Sequence, residues 1–490
     1  MKGFSENFFA YKEGALWRKL VMARSSHLFF MEAEGKTISA HTLVRKIFNC
    51  TFAHIIYYPD MTLNELYDLY LAHPTVTTDT RDCPKGSIFF ALRGASFNGN
   101  EFALQALAAG CAYAVVDDPE TKGDERLIHV PDVLDTLQQL AALHRRRLAL
   151  PTLQITGTNG KTTTKELVAA VLGEKYKVLF TQGNFNNHIG VPKTLLHLRP
   201  DHEIAIIETG ANHPGEIAAL SEIVQPDFGL ITNVGKAHLE GFGSFEGVVH
   251  TKGELYDYLR RKPGGSIFLN ADNEHLNGIA AGLPAETYGL PGKGYGVEGE
   301  AVRCAPFLEL RWRPKGGEWQ EVKTQLIGAY NATNALAAAA VGLHFGVSPE
   351  QITHALSHYC PTNNRSELRR TERNTLVIDA YNANPTSMKA ALDNFALMEG
   401  SAKLAILGEM RELGDASAEE HAKVAAQACA LTGTEVWLVG ENFAPFAPDA
   451  LHFADAAAVK AHLQQHPQAG RLILIKGSNG TRLFELPEWL

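Results

Sequence analysis

The sequence predicts an α/β protein of three domains, in which mostly parallel sheets are covered by helices. Three observations carry the prediction. From Leu153 onward, apolar strand-like runs alternate with loops and amphipathic helical stretches, and a second such series begins near Arg373. That alternation is the pattern of parallel strands joined by helical crossovers. The chain of 490 residues is too long for one core, since domains run to roughly 150 residues. Its 45% apolar and 20% charged residues are the proportions of a soluble globular protein.

Residues 1–60 stand apart. They hold eight Lys and Arg against five Asp and Glu, with FF and YY clusters and no sustained period. They read as an N-terminal extension, poorly ordered or upstream of the natural start, with Met61 as that start; a targeting or regulatory arm is the alternative. Residues 61–145 form a small α/β domain: MTLNELYDLYLAHPTVTTDTRDCPKGSIFFALRG reads as helix, strand, turn and strand, and LQALAAGCAYAVVDD (104–118) and HVPDVLDTLQQLAALHRRR (129–147) complete it. Residues 146–360 form the central domain, with strands at HEIAIIET (202–209) and DFGLITNV (227–234). Residues 361–490 form the third, with strands at NTLVIDAY (374–381), AKLAILGE (402–409), TEVWLVGE (434–441) and RLILIKGS (471–478).

Composition excludes several functions. A net charge of −9 argues against nucleic acid or an anionic membrane as partner, since both need a basic surface. Small molecules are the expected ligands. Six cysteines, at 50, 83, 111, 304, 360 and 429, are scattered without a CxxC pair, which fits neither a disulfide framework nor a zinc site and points to a reducing cytoplasm. No run approaches the ~20 apolar residues that span a bilayer, and the N-terminus lacks the apolar core of a signal peptide. The expectation is a cytoplasmic protein without membrane insertion, and nothing demands more than a monomer.

The chemistry starts at Gly157-Thr158-Asn159-Gly160-Lys161-Thr162-Thr163, between an apolar segment (153–155) and an amphipathic helical stretch. A strict GxxxxGK[ST] loop needs glycine where Ile155 stands. What remains still sets backbone N–H groups, a lysine and a metal-binding hydroxyl at a helix onset, as phosphate binding requires. A Gly-rich turn before a Thr-capped helix is the plainer alternative. Glu208 ends one strand-like run and His238 follows another, at the edge where open α/β sheets bind ligands. Either residue alone also fits a helix cap or a structural role. Lys252, in HTKGELYDYL, reads as the opening of an amphipathic helix, where a solvated charge is the ordinary expectation.

In order, GTNGKTT (157–163), NFNNHIGVP (184–192), ETGAN (208–212), NVGKAHLEGFG (233–243), HTKGEL (250–255), GAYNATN (328–334) and NNRSE (363–367) resemble the motifs of the Mur ligases of peptidoglycan synthesis. Seven motifs in one order are far more specific than any single loop, and the likeness runs from Thr77 to Arg482. VIDAYNANPTSM (377–388), LGEMRELG (407–414) and LIKGSNGTR (474–482) resemble the branch that adds D-alanyl-D-alanine; the DNPR-like motif of the diaminopimelate-adding branch is lacking.

The resemblance implies a central P-loop-type sheet with helices on both faces and a Rossmann-like C-terminal domain. It implies an ATP-dependent ligase in which the carboxylate of UDP-N-acetylmuramoyl-tripeptide takes the γ-phosphoryl group and D-alanyl-D-alanine then displaces phosphate. By position, residues 157–163 hold the ATP phosphates, and Lys161, Glu208, His238 and Lys252 are catalytic. Thr162 and Glu208 bind one Mg2+. Lys252 takes up CO2 as a carbamate beside a second, with His238 its ligand or neighbour. Asn331 and Asn334 lie on the adenine side, and Arg365 and Asp379 reach the phosphate and ribose as the C-terminal domain closes. Tyr330 stands where the family has histidine. Thr80, Arg81, Arg93 and Asn98 match the UDP-recognition segment, and Asn187, Tyr381, Asn382, Asn384 and Lys476 are further substrate-binding positions. Plainer readings coexist: Asn331 and Asn334 as helix caps, YNANPTSM as a turn capped by Thr386 or Ser387, KGSNGTR as a basic turn. A folylpolyglutamate synthetase-like or diaminopimelate-adding ligase and a catalytically silent nucleotide-binding regulator are the competing functions.

Overall fold

The computed structural model describes residues 61–490 except 362–364, 366, 401 and 447–449, and, of the first sixty, the strand residues 9–13, 16–20, 30–33 and 36–39. The chain forms two compact units, Met1–Asp60 and Met61–Leu490. In the first, Phe9–Glu13 pairs antiparallel with Leu16–Leu20, and Phe30–Ala33 with Lys36–Ser39. Two hairpins thus stand where the sequence shows no sustained period; the rest of the expected extension lies outside the described residues.

The second unit contains three main sheets. Its N-terminal sheet has four parallel strands in the order Leu127–His129, Tyr113–Val116, Ile88–Phe90 and Val76–Thr77. The central sheet has nine, ordered Val178–Phe180, Ile204–Glu208, Thr152–Thr156, Phe228–Ile231, Ser266–Asn270, Ala285–Gly289, Val297–Arg303, Glu309–Pro314 and Gln320–Lys323. The first seven are parallel and the last two antiparallel. Ile204 and Ile206 face one core, Ala205 and Ile207 another; this period of two puts helices on both faces. On the first face, helix Lys161–Gly173 packs against Asn331–His344, whose small Ala335, Ala338 and Ala339 are fully buried.

The other face is covered partly by helix Val133–Leu148. Asp132 caps it by accepting from the Asp135 N–H, and Arg145, Arg146 and Arg147 fill its last turn, where cations suit the helix dipole. Leu137, Leu140, Ala141 and His144 follow the helical period and are buried. This helix runs through position 145, where the sequence places a domain boundary. Its core explains why: Leu137 and Leu140 share one cluster with Tyr67 and Tyr70 before it and with Val191, Leu195 and Ile207 after it. His144 links the two sides, with Nδ1 3.2 Å from the Tyr67 hydroxyl and Nε2 3.1 Å from the Leu198 carbonyl. Burial lowers its pKa, so a neutral ring that accepts from Tyr67 and donates to Leu198 satisfies both contacts.

The third sheet has six strands, ordered Glu367–Arg370, Thr375–Asp379, Leu472–Lys476, Lys403–Gly408, Thr434–Val439 and Leu451–Phe453. Only the first pair is antiparallel, and separate cores cover its two faces. Among the described residues no helix is long and apolar enough to cross a membrane.

Candidate active site

Three neighbouring strands of the central sheet, Ile204–Glu208, Thr152–Thr156 and Phe228–Ile231, end at one edge, and the loops beyond them carry the residues singled out in the sequence. These loops and the facing loops of the third sheet line one cavity of about 790 Å3. It gathers Gly157, Thr158, Asn159, Gly160, Lys161 and Thr163 with Asn187, Glu208, His238, Lys252, Asn331 and Asn334, and, from the C-terminal side, Arg365, Asp379, Tyr381, Asn382 and Lys476. A cavity of about 850 Å3 around Arg370, Asn374 and Leu472 holds none of these.

The first loop is clamped from the next strand. Gly157 sits at φ +141°, and a Cβ on it would lie 2.1 Å from Thr232 Oγ1, so only glycine fits. Asn233 Oδ1 accepts from the Asn159 N–H and Asn233 Nδ2 donates to the Asn159 carbonyl, both at 3.0 Å, and Thr232 Oγ1 donates to that carbonyl at 2.6 Å. The helix then starts at Lys161 behind Gly160, with no side-chain cap, which rules out the Thr-capped alternative. Its first-turn N–H groups are left for an anion. Lys161 Nζ donates to the Gly157 and Thr158 carbonyls at 2.8 and 3.0 Å, and burial holds its pKa down to about 8 against the pull of Glu208.

Beside it are two orphaned oxygens. Thr162 Oγ1 and Glu208 Oε2 are buried without a hydrogen-bond partner, on residues 2% and 0% exposed. The other Glu208 oxygen accepts from Asn186 Nδ2 at 2.7 Å. Buried polar atoms are rarely left unpaired, and a hydroxyl with a carboxylate is the donor set a hard divalent cation prefers. Among the described residues no group of three or more His, Cys, Asp and Glu gathers.

Lys252 departs from the expectation of a solvated charge at a helix start. The helix is Phe245–Arg261, capped by Ser244, so Lys252 lies well inside it and is 2% exposed. Burial foremost, and then the neighbouring Lys161 charge, push its pKa down to about 7. His238 Nδ1 pairs with Glu412 of the third sheet's loops, and both residues hold left-handed backbone, at φ +51° and +61°. Burial lowers the His238 pKa while Glu412 opposes the shift. With Nδ1 engaged, Nε2 is the nitrogen left for another ligand.

Neither Asn331 nor Asn334 caps its helix. Asn331 Nδ2 donates to the Ile327 carbonyl and Asn334 Nδ2 to Asn331 Oδ1, both at 2.8 Å, while Asn334 lies against Gly160. On the far side, Arg365 Cζ stacks 3.7 Å from the Tyr381 ring centroid. Asp379 and Lys476, opposite each other on adjacent strands, pair at 2.7 Å. Asn384, not Thr386 or Ser387, caps helix Pro385–Leu397 by accepting from the Ser387 N–H at 2.9 Å. Its Nδ2 also donates to Asn159 Oδ1 at 2.7 Å, joining the first loop to the third sheet. Asn187 Oδ1 accepts from the Gly190 N–H at 2.8 Å at the start of helix Gly190–Leu195.

Thr80, Arg81, Arg93 and Asn98 lie on the N-terminal domain and do not line the cavity. Arg81 pairs with Asp79 at 2.6 Å, Arg93 with Asp117 at 2.8 Å, and Asn98 Oδ1 accepts from Asn100 Nδ2 at 2.9 Å. The sequence reading missed Asn186, Asn233, Arg411 and Glu412. Asn233 had a signal, a carboxamide at a strand end beside the loop; Asn186 was indistinguishable from Asn187 next to it.

Comparison with known proteins gives the chain a family. Residues 74–145 match the Mur ligase family catalytic domain, 155–342 the Mur ligase middle domain, and 364–479 the Mur ligase glutamate ligase domain. The chain belongs to the Mur ligase family. The relatives narrow this to one branch. The UDP-N-acetylmuramoyl-tripeptide–D-alanyl-D-alanine ligase of Bacillus subtilis (strain 168) is 35% identical over 436 residues, covering 86% of this chain and 94% of its own. The ligase of the same name from Escherichia coli (strain K12) is 34% identical, covering 87% and 96%. A crystal structure of MurF from Acinetobacter baumannii superposes with a TM-score of 0.76 at 32% identity, covering 84% of this chain and 92% of that one.

Proposed function

We propose that the chain is an ATP-dependent ligase that joins D-alanyl-D-alanine to UDP-N-acetylmuramoyl-tripeptide, giving the pentapeptide precursor of peptidoglycan, and that it works in the cytoplasm as a monomer. The supporting observation is that a phosphate loop, a carboxylate with an orphaned oxygen and a buried lysine line one cavity, with the orphaned Thr162 hydroxyl buried behind its wall, in a chain 35% identical over 436 residues to an enzyme of that name. Residues 61–145 take the sugar nucleotide through Thr80, Arg81, Arg93 and Asn98, residues 146–360 take ATP, and residues 361–490 close over it.

The loop N–H groups and Lys161 neutralise the ATP phosphates, and Lys161 exchanges its loop carbonyls for phosphate oxygens. Asn331 and Asn334 line the adenine side. Arg365, presented by its stack on Tyr381, and Asp379 approach from the third domain and exclude water from the acyl phosphate. Thr162 Oγ1 and Glu208 Oε2 would hold Mg2+, which supplies charge neutralisation for the transferred phosphoryl group. Lys252, with its pKa near 7, presents the neutral amine that adds to CO2 and releases a proton; the carbamate oxygen suits a second Mg2+, with His238 Nε2 beside it.

The test is mass spectrometry of products from ATP, Mg2+, UDP-N-acetylmuramoyl-tripeptide and D-alanyl-D-alanine, with phosphate release in parallel and L-alanyl-L-alanine as control. Pentapeptide matching phosphate is the expected result. No product with either a diaminopimelate or a lysine tripeptide would overturn the assignment.

A further inference from the structure

The reaction brings a third anion to this cavity besides ATP and the acyl substrate: the C-terminal carboxylate of the incoming dipeptide. We infer that Arg411 is the residue that recognises it and so sets specificity for a dipeptide with a free C-terminus; the inference rests on the ligase reading above. Arg411 lines both the main cavity and an adjoining one of about 310 Å3 at the carboxyl ends of the third sheet's strands, the size of a small-ligand site.

Its neighbours show where the guanidinium lies. A Cβ on Gly480 would sit 2.3 Å from Arg411 Nη1 and 2.5 Å from its Cζ, although Gly480 has no positive φ. Arg411 thus lies directly across the chain at Gly480, in the space a side chain there would take. The other cations nearby are engaged. Lys460 and Arg482 both pair with Glu485, and Lys476 is buried against Asp379. Arg365 stacks on Tyr381 on the nucleotide side. Arg411, by contrast, is 56% exposed, and its ion pair with Glu409 Oε1 is stretched to 3.9 Å. Its hydrogen bond to the Gly480 carbonyl, at 3.3 Å, leaves most of its five donors open. A planar guanidinium with two free parallel N–H groups matches a carboxylate in bidentate fashion. An extended dipeptide spans about 7 Å, so a carboxylate held at Arg411, which lines the main cavity, leaves the amine within reach of that cavity.

The experiment compares steady-state kinetics of the unsubstituted protein, Arg411→Met and Arg411→Lys with D-alanyl-D-alanine and D-alanyl-D-alaninamide, whose C-terminus is neutral. In Arg411→Met, the KM for D-alanyl-D-alanine is expected to rise roughly tenfold to a hundredfold, the scale of a charge-assisted hydrogen bond. The KM for ATP stays within about twofold, since the lost contact is not to nucleotide. The preference for acid over amide should collapse toward unity in Arg411→Met and survive in part in Arg411→Lys. An unchanged acid-over-amide preference in Arg411→Met overturns the inference, as does a KM shift that falls on ATP instead. Absence of pentapeptide from the unsubstituted protein is a different failure: it overturns the ligase reading and this inference with it.

Discussion

Replacing Thr162 by valine separates folding from chemistry at a single atom. Both side chains are β-branched and of similar shape, so helix Lys161–Gly173 keeps its first turn. Thr162 is 2% exposed and its Oγ1 has no partner within the protein, so burying that hydroxyl costs about 1–3 kcal/mol without return. Valine removes the cost. In buffer free of Mg2+ and nucleotide, the variant should gain roughly 1 kcal/mol, read as a higher urea midpoint at unchanged slope. Turnover should move the other way. Loss of one oxygen acting on developing charge lowers kcat by roughly 10²–10³-fold, and Thr162→Ser, which keeps the hydroxyl, should retain most of it. Phosphate release across a Mg2+ titration, beside urea unfolding, reads both. A lower urea midpoint would show that the hydroxyl has a partner in the fold, and undiminished turnover at saturating Mg2+ would refute its role as a ligand.

Asn186→Ala removes the donor to Glu208 Oε1; both carboxylate oxygens are then buried unpaired, and urea unfolding should register a loss of about 1–3 kcal/mol. Gly157→Ala places a Cβ 2.1 Å from Thr232 Oγ1 at a φ of +141°; with backbone strain of about 1–3 kcal/mol, the variant should unfold earlier and lose binding of a fluorescent ATP analogue. Burial lowers the Lys252 pKa from 10.5 to about 7. Between those values the unfolded chain binds a proton that the folded chain does not, so stability rises with pH at up to ~1.4 kcal/mol per unit. Lys161, at about 8, contributes in the same direction, and Lys252→Met should flatten only the share that begins near pH 7 in urea midpoints measured across the range. Tyr381→Leu removes the ring under Arg365, and calorimetry should find ATP affinity weakened roughly two- to fivefold, the scale of an exposed cation–π contact.

The parallel strands were legible because each is a run of apolar residues bounded by turn residues, and Ile204–Glu208, Lys403–Gly408 and Leu472–Lys476 fall within the predicted segments. The antiparallel extension of Val297–Arg303, Glu309–Pro314 and Gln320–Lys323 was not, because its short strands mix Glu and Arg with apolar residues, and cross-strand pairs such as Glu300 with Arg311 leave no mark on a single segment. At the site, ordered motifs located the loop, Glu208 and Lys252, but not their surroundings. That Lys252 is buried depends on a helix starting at Phe245, and a lysine's letter says nothing of its depth. The His238–Glu412 pair and the Arg411–Gly480 crossing join segments far apart in the chain, a relation that local pattern does not encode.

Helix Val133–Leu148 sets where this family could exchange parts. A cut at 145 would strip the cover from Val191, Leu195 and Ile207 and leave both fragments with a wet apolar face. The helix itself ends only at Ala149, whose left-handed φ of +49° breaks it, and a cut there would part the same cluster. A recombination event that swapped the sugar-nucleotide end of one ligase for another's would have to take the helix along, together with an interface matched to the recipient's sheet. Such shuffling is therefore limited by packing around this one helix, however freely the binding loops themselves diverge.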